Sequence, residues 1–139
     1  MSDIESTYND IKDIMNWYKA NSSITQTTVE EILEKRDKLA ILSFRLSEIV
    51  GDAKSDYNSA YFMRIIYVAK SKQKYIENNL AYNKAEVKSI IESEAFYQEA
   101  IEKESIAFKN DMLLKGVNQV LSAMQQRISF AKQEKNNTF

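Results

Sequence analysis

The chain of 139 residues contains no cysteine, no histidine and no proline, and only two glycines. Each absence excludes something. Without cysteine there are no disulfides, thiolate metal sites or thiol nucleophiles. Without histidine the commonest general base and metal ligand is gone, and so is any Ser-His-Asp arrangement. Average usage would place about seven prolines and ten glycines in a chain of this length. Turns and strand ends consume those residues, so their scarcity predicts few turns and long helices. No uninterrupted apolar run approaches the roughly twenty residues of a membrane span. The opening "MSDIESTYND" is acidic and has no apolar h-region, so it does not read as a signal peptide. The expected location is therefore cytoplasmic, with no membrane partner.

What is present is helical periodicity. Ser2 and Glu5 stand at capping-box spacing, and Ile4, Tyr8, Ile11, Met15 and Tyr18 follow along one face, widened by Ile14 and Trp17. "NSSITQTT" interrupts the pattern with residues that favour turns and caps. Thr27 with Glu30 marks the next start. From there Leu39, Leu42, Leu46, Ile49 and Ala53 recur in steps of three and four, and a second stripe of Tyr57, Tyr61, Ile65 and Val68 is expected to take over. Gly51 lies inside this helix, as a close contact or slight bend, at a cost of about 1 kcal/mol relative to Ala. Continuous to residue 78, the helix would be roughly 75 Å long and would need a partner along its length. "ENNLAYNKAE" is the second break, with Asn78 and Asn79 suited to a helix end and Asn83 to a start. A third helix runs from about Lys84 to Lys135, with a sparse face of Val87, Ile91 and Ile101. A dense seam follows: Leu114, Val117, Leu121, Met124, Ile128 and Ala131.

These elements predict a single all-α domain over residues 1–139. It is a long, coiled-coil-like antiparallel helical hairpin with a short N-terminal helix packed on it. Folding about residue 81 sets residue 70 near 92 and residue 36 near 126. The seam of Leu114, Val117, Leu121, Met124 and Ile128 is expected to meet a partner, and the chain is expected to be a homo-oligomer.

Net charge is −1, but it is distributed in blocks: −5 over residues 1–34, +5 over 35–84, −4 over 85–111 and +3 over 112–139. In the hairpin register, Arg64, Lys70, Lys72 and Lys74 fall beside Glu92, Glu94, Glu99 and Glu102. Lys35, Arg36, Lys38 and Arg45 fall beside Arg127, Lys132 and Lys135. Like charges gather at that second place, and Asp10 and Asp13 of the first helix are positioned to answer them. Lysines 70, 72 and 74 alternate, so they point in different directions around the helix and cannot all face one acidic strip.

No arrangement in the chain supports catalysis. There is no glycine-rich phosphate loop, and a di-metal carboxylate bundle would need Glu-x-x-His pairs. Glu30 with Glu34 and Glu92 with Glu99 read as solvated helix faces. The chain is therefore expected not to be an enzyme, and to carry no cofactor or metal. Bases interleaved with aromatics in "NSAYFMRIIYVAKSKQKYIENNLAY" can hold single-stranded nucleic acid, with cations on phosphates and rings on bases. The same tyrosines at helical spacing also suit a hairpin interface.

Two segments carry a resemblance: "VAKSKQKYIENN", ending a long helix before a polar turn, and "ESEAFYQEAIEKESIAFKNDMLLKGVNQVLSAMQQRISFAKQEK". Together they resemble the phage UvsY-type recombination mediators over roughly residues 65–135. The second segment looks like that family's long final helix, with an Arg and a Lys near its end. The resemblance implies a small helical oligomer in the host cytoplasm. It would bind single-stranded DNA and help a recombinase load in competition with single-strand-binding protein. The matching bases are Lys70, Lys72, Lys74, Arg127 and Lys132. A pI of 5.6 is low for a DNA binder, so binding would rest on local strips multiplied by oligomerisation. The alternative is a protein-interaction module, such as a phage anti-defence (anti-CRISPR-like) inhibitor or a virion assembly component.

Overall fold

A computed structural model describes residues 2–21, 28–77 and 94–137, with side chains described to Gln73 in the second segment and to Glu134 in the third. Three helices account for nearly all of them: α1 (Asp3–Asn21), α2 (Val29–Glu77) and α3 (Ala95–Asn137). No strand occurs among the described residues. The expected break at residues 78–83, the helix start near Lys84, and Val87, Ile91 and Glu92 lie outside the described residues.

Local chemistry sets the starts. The Glu5 N–H donates to Ser2 Oγ at 3.1 Å, satisfying one of the orphan amides of α1. At α2 the Glu31 N–H donates to Thr28 Oγ1 at 3.2 Å, so the cap is Thr28 and not Thr27. Both threonines have a glutamate three residues on, which makes the sequence degenerate by one position. α2 passes Gly51 and α3 passes Gly116 without interruption.

The chain forms two compact units, Met1–Ile49 with Asp111–Phe139, and Val50–Asn110. The first is a three-helix bundle. The α1 stripe of Thr7, Ile11 and Ile14 is buried; Ile4, on the same stripe, is half exposed in the first turn. Leu39 and Leu46 from α2 and Val117, Met124 and Ile128 from α3 are fully buried with Ile11. Fully burying such side chains is worth about 1.5–3 kcal/mol each. Arg36 donates from Nη1 to Gln125 Oε1, fixing the antiparallel register of α2 and α3 here. The seam of α3 is thus the core of this unit: Leu114 and Leu121 are partly covered, and Val117, Met124 and Ile128 have no surface left for another molecule.

The second unit is a two-helix hairpin. Tyr67 and Phe96 rings meet at 5.0 Å, and Arg64 lies over Tyr97 at 4.5 Å. These pairs match the hairpin register expected from the sequence. The contact differs from expectation in its residues. Val50, Ala53 and Ala60 of α2 are buried, with Ala100, Ala107 and Asn110 of α3, whereas Tyr61 and Ile65 are exposed. Small alanines seven residues apart allow the two backbones to approach closely, and the stripe through Tyr61 and Ile65 is left outside.

Gly51 is exposed, and a Cβ built on it would meet nothing within 4 Å. The close contact suggested by the sequence is therefore absent. Gly51→Ala is expected to raise stability by roughly 0.5–1 kcal/mol, because it removes only unfolded-state freedom and backbone exposure. That corresponds to a rise in Tm of about 2–4 °C by thermal circular dichroism. An unchanged or lowered Tm would mean that the bare backbone at Gly51 serves a contact beyond the chain.

Candidate nucleic-acid interface

The bases singled out by the sequence fall in both units. Lys70 and Lys72 are exposed on α2 in the two-helix unit. Lys74 lies in the same helix, two residues on, with its side chain outside the described residues. Arg127 and Lys132 belong to the three-helix unit, where Arg127 is half-buried and Lys132 exposed.

Arg127 is committed inside its own unit. Its guanidinium lies 5.9 Å from the Tyr18 ring centre, and its Nη1 donates to the Asn21 carbonyl at 3.4 Å. That carbonyl belongs to the C-terminal turn of α1, where backbone acceptors lack helical partners and the helix dipole is negative. Lys35 sits 5.5 Å from the centre of the Trp17 ring. Two of the gathered bases, Lys35 and Arg127, are therefore answered by π faces of α1, and Arg127 also by a carbonyl of its last turn. Cation–π contacts of this kind contribute about 0.5–2 kcal/mol each. Sequence reasoning had no signal for these contacts, because Tyr18 and Arg127 are far apart in the chain and neither has a motif.

Asp10 and Asp13 do fold to this side, as expected. With Ile14, Lys35, Lys38, Ile41 and Leu42 they line an open groove of about 390 Å³. Lys38 itself pairs with Glu34 at 3.1 Å along its own helix, and Arg36 with Asp37 at 3.1 Å. Such exposed pairs are worth less than about 1 kcal/mol and do not organise the groove.

In the two-helix unit, the bases that the hairpin register sets beside acids are met in other ways. Arg64 stacks on Tyr97, and its Nε is buried with no hydrogen-bond partner. A delocalised, weakly hydrated guanidinium tolerates a ring face better than an ammonium would. Lys70 and Lys72 form no ion pair with a carboxylate among the described residues. Two to three helical turns before them on α2, Tyr61 and Phe62 are also exposed, the two rings 6.3 Å apart and edge to face. Exposed cations and exposed rings thus share one helix segment. No group of acids fit to hold a metal ion is found among the described residues, and no described helix is long and apolar enough to cross a membrane. Compared with known proteins, the chain matches no family model, no curated sequence and no solved structure.

Proposed function

We propose that this chain is a non-catalytic phage accessory protein that binds single-stranded DNA and assists the loading of a recombinase, the role its resemblance to UvsY-type mediators implies. The observation that carries the reading is that Lys70 and Lys72 are exposed on the same stretch of α2 as the exposed rings of Tyr61 and Phe62, two to three turns before them. Ammonium groups would meet phosphates, and rings would stack on unpaired bases, which is how sequence-tolerant single-strand binding is built. Lys74 extends the cationic stretch. Arg127, held against α1, contributes to the three-helix bundle and is not among the phosphate contacts, which are Lys70, Lys72 and Lys74.

The test is fluorescence anisotropy of a labelled single-stranded oligonucleotide at two salt concentrations. Three phosphate contacts give a log–log salt slope near about −2, since single strands release roughly 0.7 counterions per contact. Affinity is then expected to fall roughly 20-fold between about 50 and about 200 mM salt. Absence of binding at the lower salt would remove the reading.

A second reading is favoured by a different observation. The two-helix unit exposes Met63, Ile65 and Ile66 beside its rings, a surface richer in aliphatic groups than stacking requires. A protein-interaction module, such as an anti-defence inhibitor or a virion assembly component, would use that surface on a host or phage protein. Capture that is unaffected by salt distinguishes it.

A further inference from the structure

We infer that the α2 face formed by Tyr61, Phe62, Ile65 and Ile66 is a self-association surface, and that its occupant is the same helix of a second copy, running antiparallel. The inference starts from "YFMRIIYVA", residues 61–69, in which Arg64 is the only residue that is not apolar. A helix that is apolar all round is a buried helix. In the two-helix unit, however, α2 has one partner, and that partner covers one side only, the side of Ala53, Ala60 and Tyr67. At about 100° per residue, Ile65, Phe62 and Ile66 point away from that side. Phe62 is 63% exposed, Ile66 48% and Ile65 45%.

Area and charge identify the occupant. Tyr61, Phe62, Met63, Ile65 and Ile66, each roughly half exposed at about 200 Å², present on the order of 500 Å². Ile101 and Phe108, seven residues apart on α3 and also exposed, bring the apolar surface of the unit to about 700 Å². That is about what each partner of a standard stable interface contributes, and more than an isolated monomer ordinarily leaves in water.

In a two-fold interface every group near the axis meets its own image, so a charge there is repelled. Residues 65–69 carry no charge, and Arg64 is turned onto Tyr97. The flanks are of opposite net sign: Asp52, Lys54 and Asp56 precede the apolar run, and Lys70, Lys72 and Lys74 follow it. Antiparallel pairing about residue 63 sets Lys70 and Lys74 of one copy at the level of Asp56 and Asp52 of the other, with Lys72 level with Lys54 between them. The rim pairs are exposed and weak, so the lysines can exchange a carboxylate for a phosphate.

A second copy seated on this face would cover Tyr61 and Phe62, and single-strand binding would then rest on the lysines without the rings; the test therefore contains no DNA. Sedimentation velocity of the full chain at tens of micromolar is expected to give at least twice the 16.1 kDa mass of one chain. Phe62→Asp with Ile66→Asp is expected to return it to one chain mass with unchanged helicity, because both side chains are outside the core of the hairpin. The milder Phe62→Ala should weaken association about tenfold. Because the chain lacks cysteine, Phe62→Cys provides a second measurement: a short bis-maleimide should join two copies in high yield. A wild-type monomer, or a folded double variant of unchanged mass, would overturn the inference. A monomer that still binds single strands would overturn it while leaving the DNA reading intact, and a dimer indifferent to DNA would do the reverse.

Discussion

Met124→Asp is expected to unfold the three-helix unit, whereas Phe130→Asp, six residues further along the same helix, is expected to change stability by no more than about 0.5 kcal/mol. Met124 has no exposed surface, and Phe130 is 63% exposed. At Met124 the substitution removes a thioether packed in the bundle and places a carboxylate where no cation is built to receive it. The lost transfer and packing energy is about 2–5 kcal/mol, and the unpaired polar group adds a further penalty of a few kcal/mol. A domain of this size has only about 5–15 kcal/mol to lose. Thermal circular dichroism should show a large drop in Tm, or loss of the folded baseline, for the first variant alone. Equal effects at the two positions would mean that the α3 seam faces a partner, as the sequence alone suggested, and not the core of its own chain.

Charge reversal of Lys70, Lys72 and Lys74 to Glu should weaken single-strand binding by at least about 100-fold and flatten its salt dependence. Each lost phosphate contact removes roughly 0.7 from the salt slope, so three remove about 2, nearly all of it. Each glutamate then adds repulsion from the strand. Helicity should be preserved, because Lys70 and Lys72 are exposed and belong to no core contact. The measurement is the anisotropy titration repeated on the variant, with circular dichroism as the control for folding. Unchanged affinity would remove these lysines from the site. Weaker affinity with an unchanged salt slope would place them in the packing of α2, not on phosphates.

Much of the architecture was legible in the residues. Heptad spacing is a local property: steps of three and four put Leu39, Leu46, Val117, Met124 and Ile128 on one side of each helix whatever surrounds them, and all five are buried. The scarcity of glycine and proline left few places for chain reversal, and so the hairpin register was set by elimination. Tyr67 meets Phe96 and Arg36 meets Gln125 as that register requires.

Other features depended on what lies across from each helix. Where α2 is apolar all round, periodicity contains no preferred face, and the spacing of Tyr61 and Ile65 was as good a stripe as that of Ala53 and Ala60. The tertiary contact chose the alanines because close approach of two backbones favours the smallest side chains, and it left the larger ones outside. The gathered bases posed the same kind of problem. Like charges at Lys35 and Arg127 called for a counter-charge, and the sequence offered Asp10 and Asp13. Folding also brought Trp17 and Tyr18 to them, with the last described carbonyl of α1. Composition and periodicity therefore determined the helices, their order and most of the core. Which apolar face stays exposed, and what balances the bases, only the packing of one helix on another could decide, because both depend on distances between residues remote in the chain.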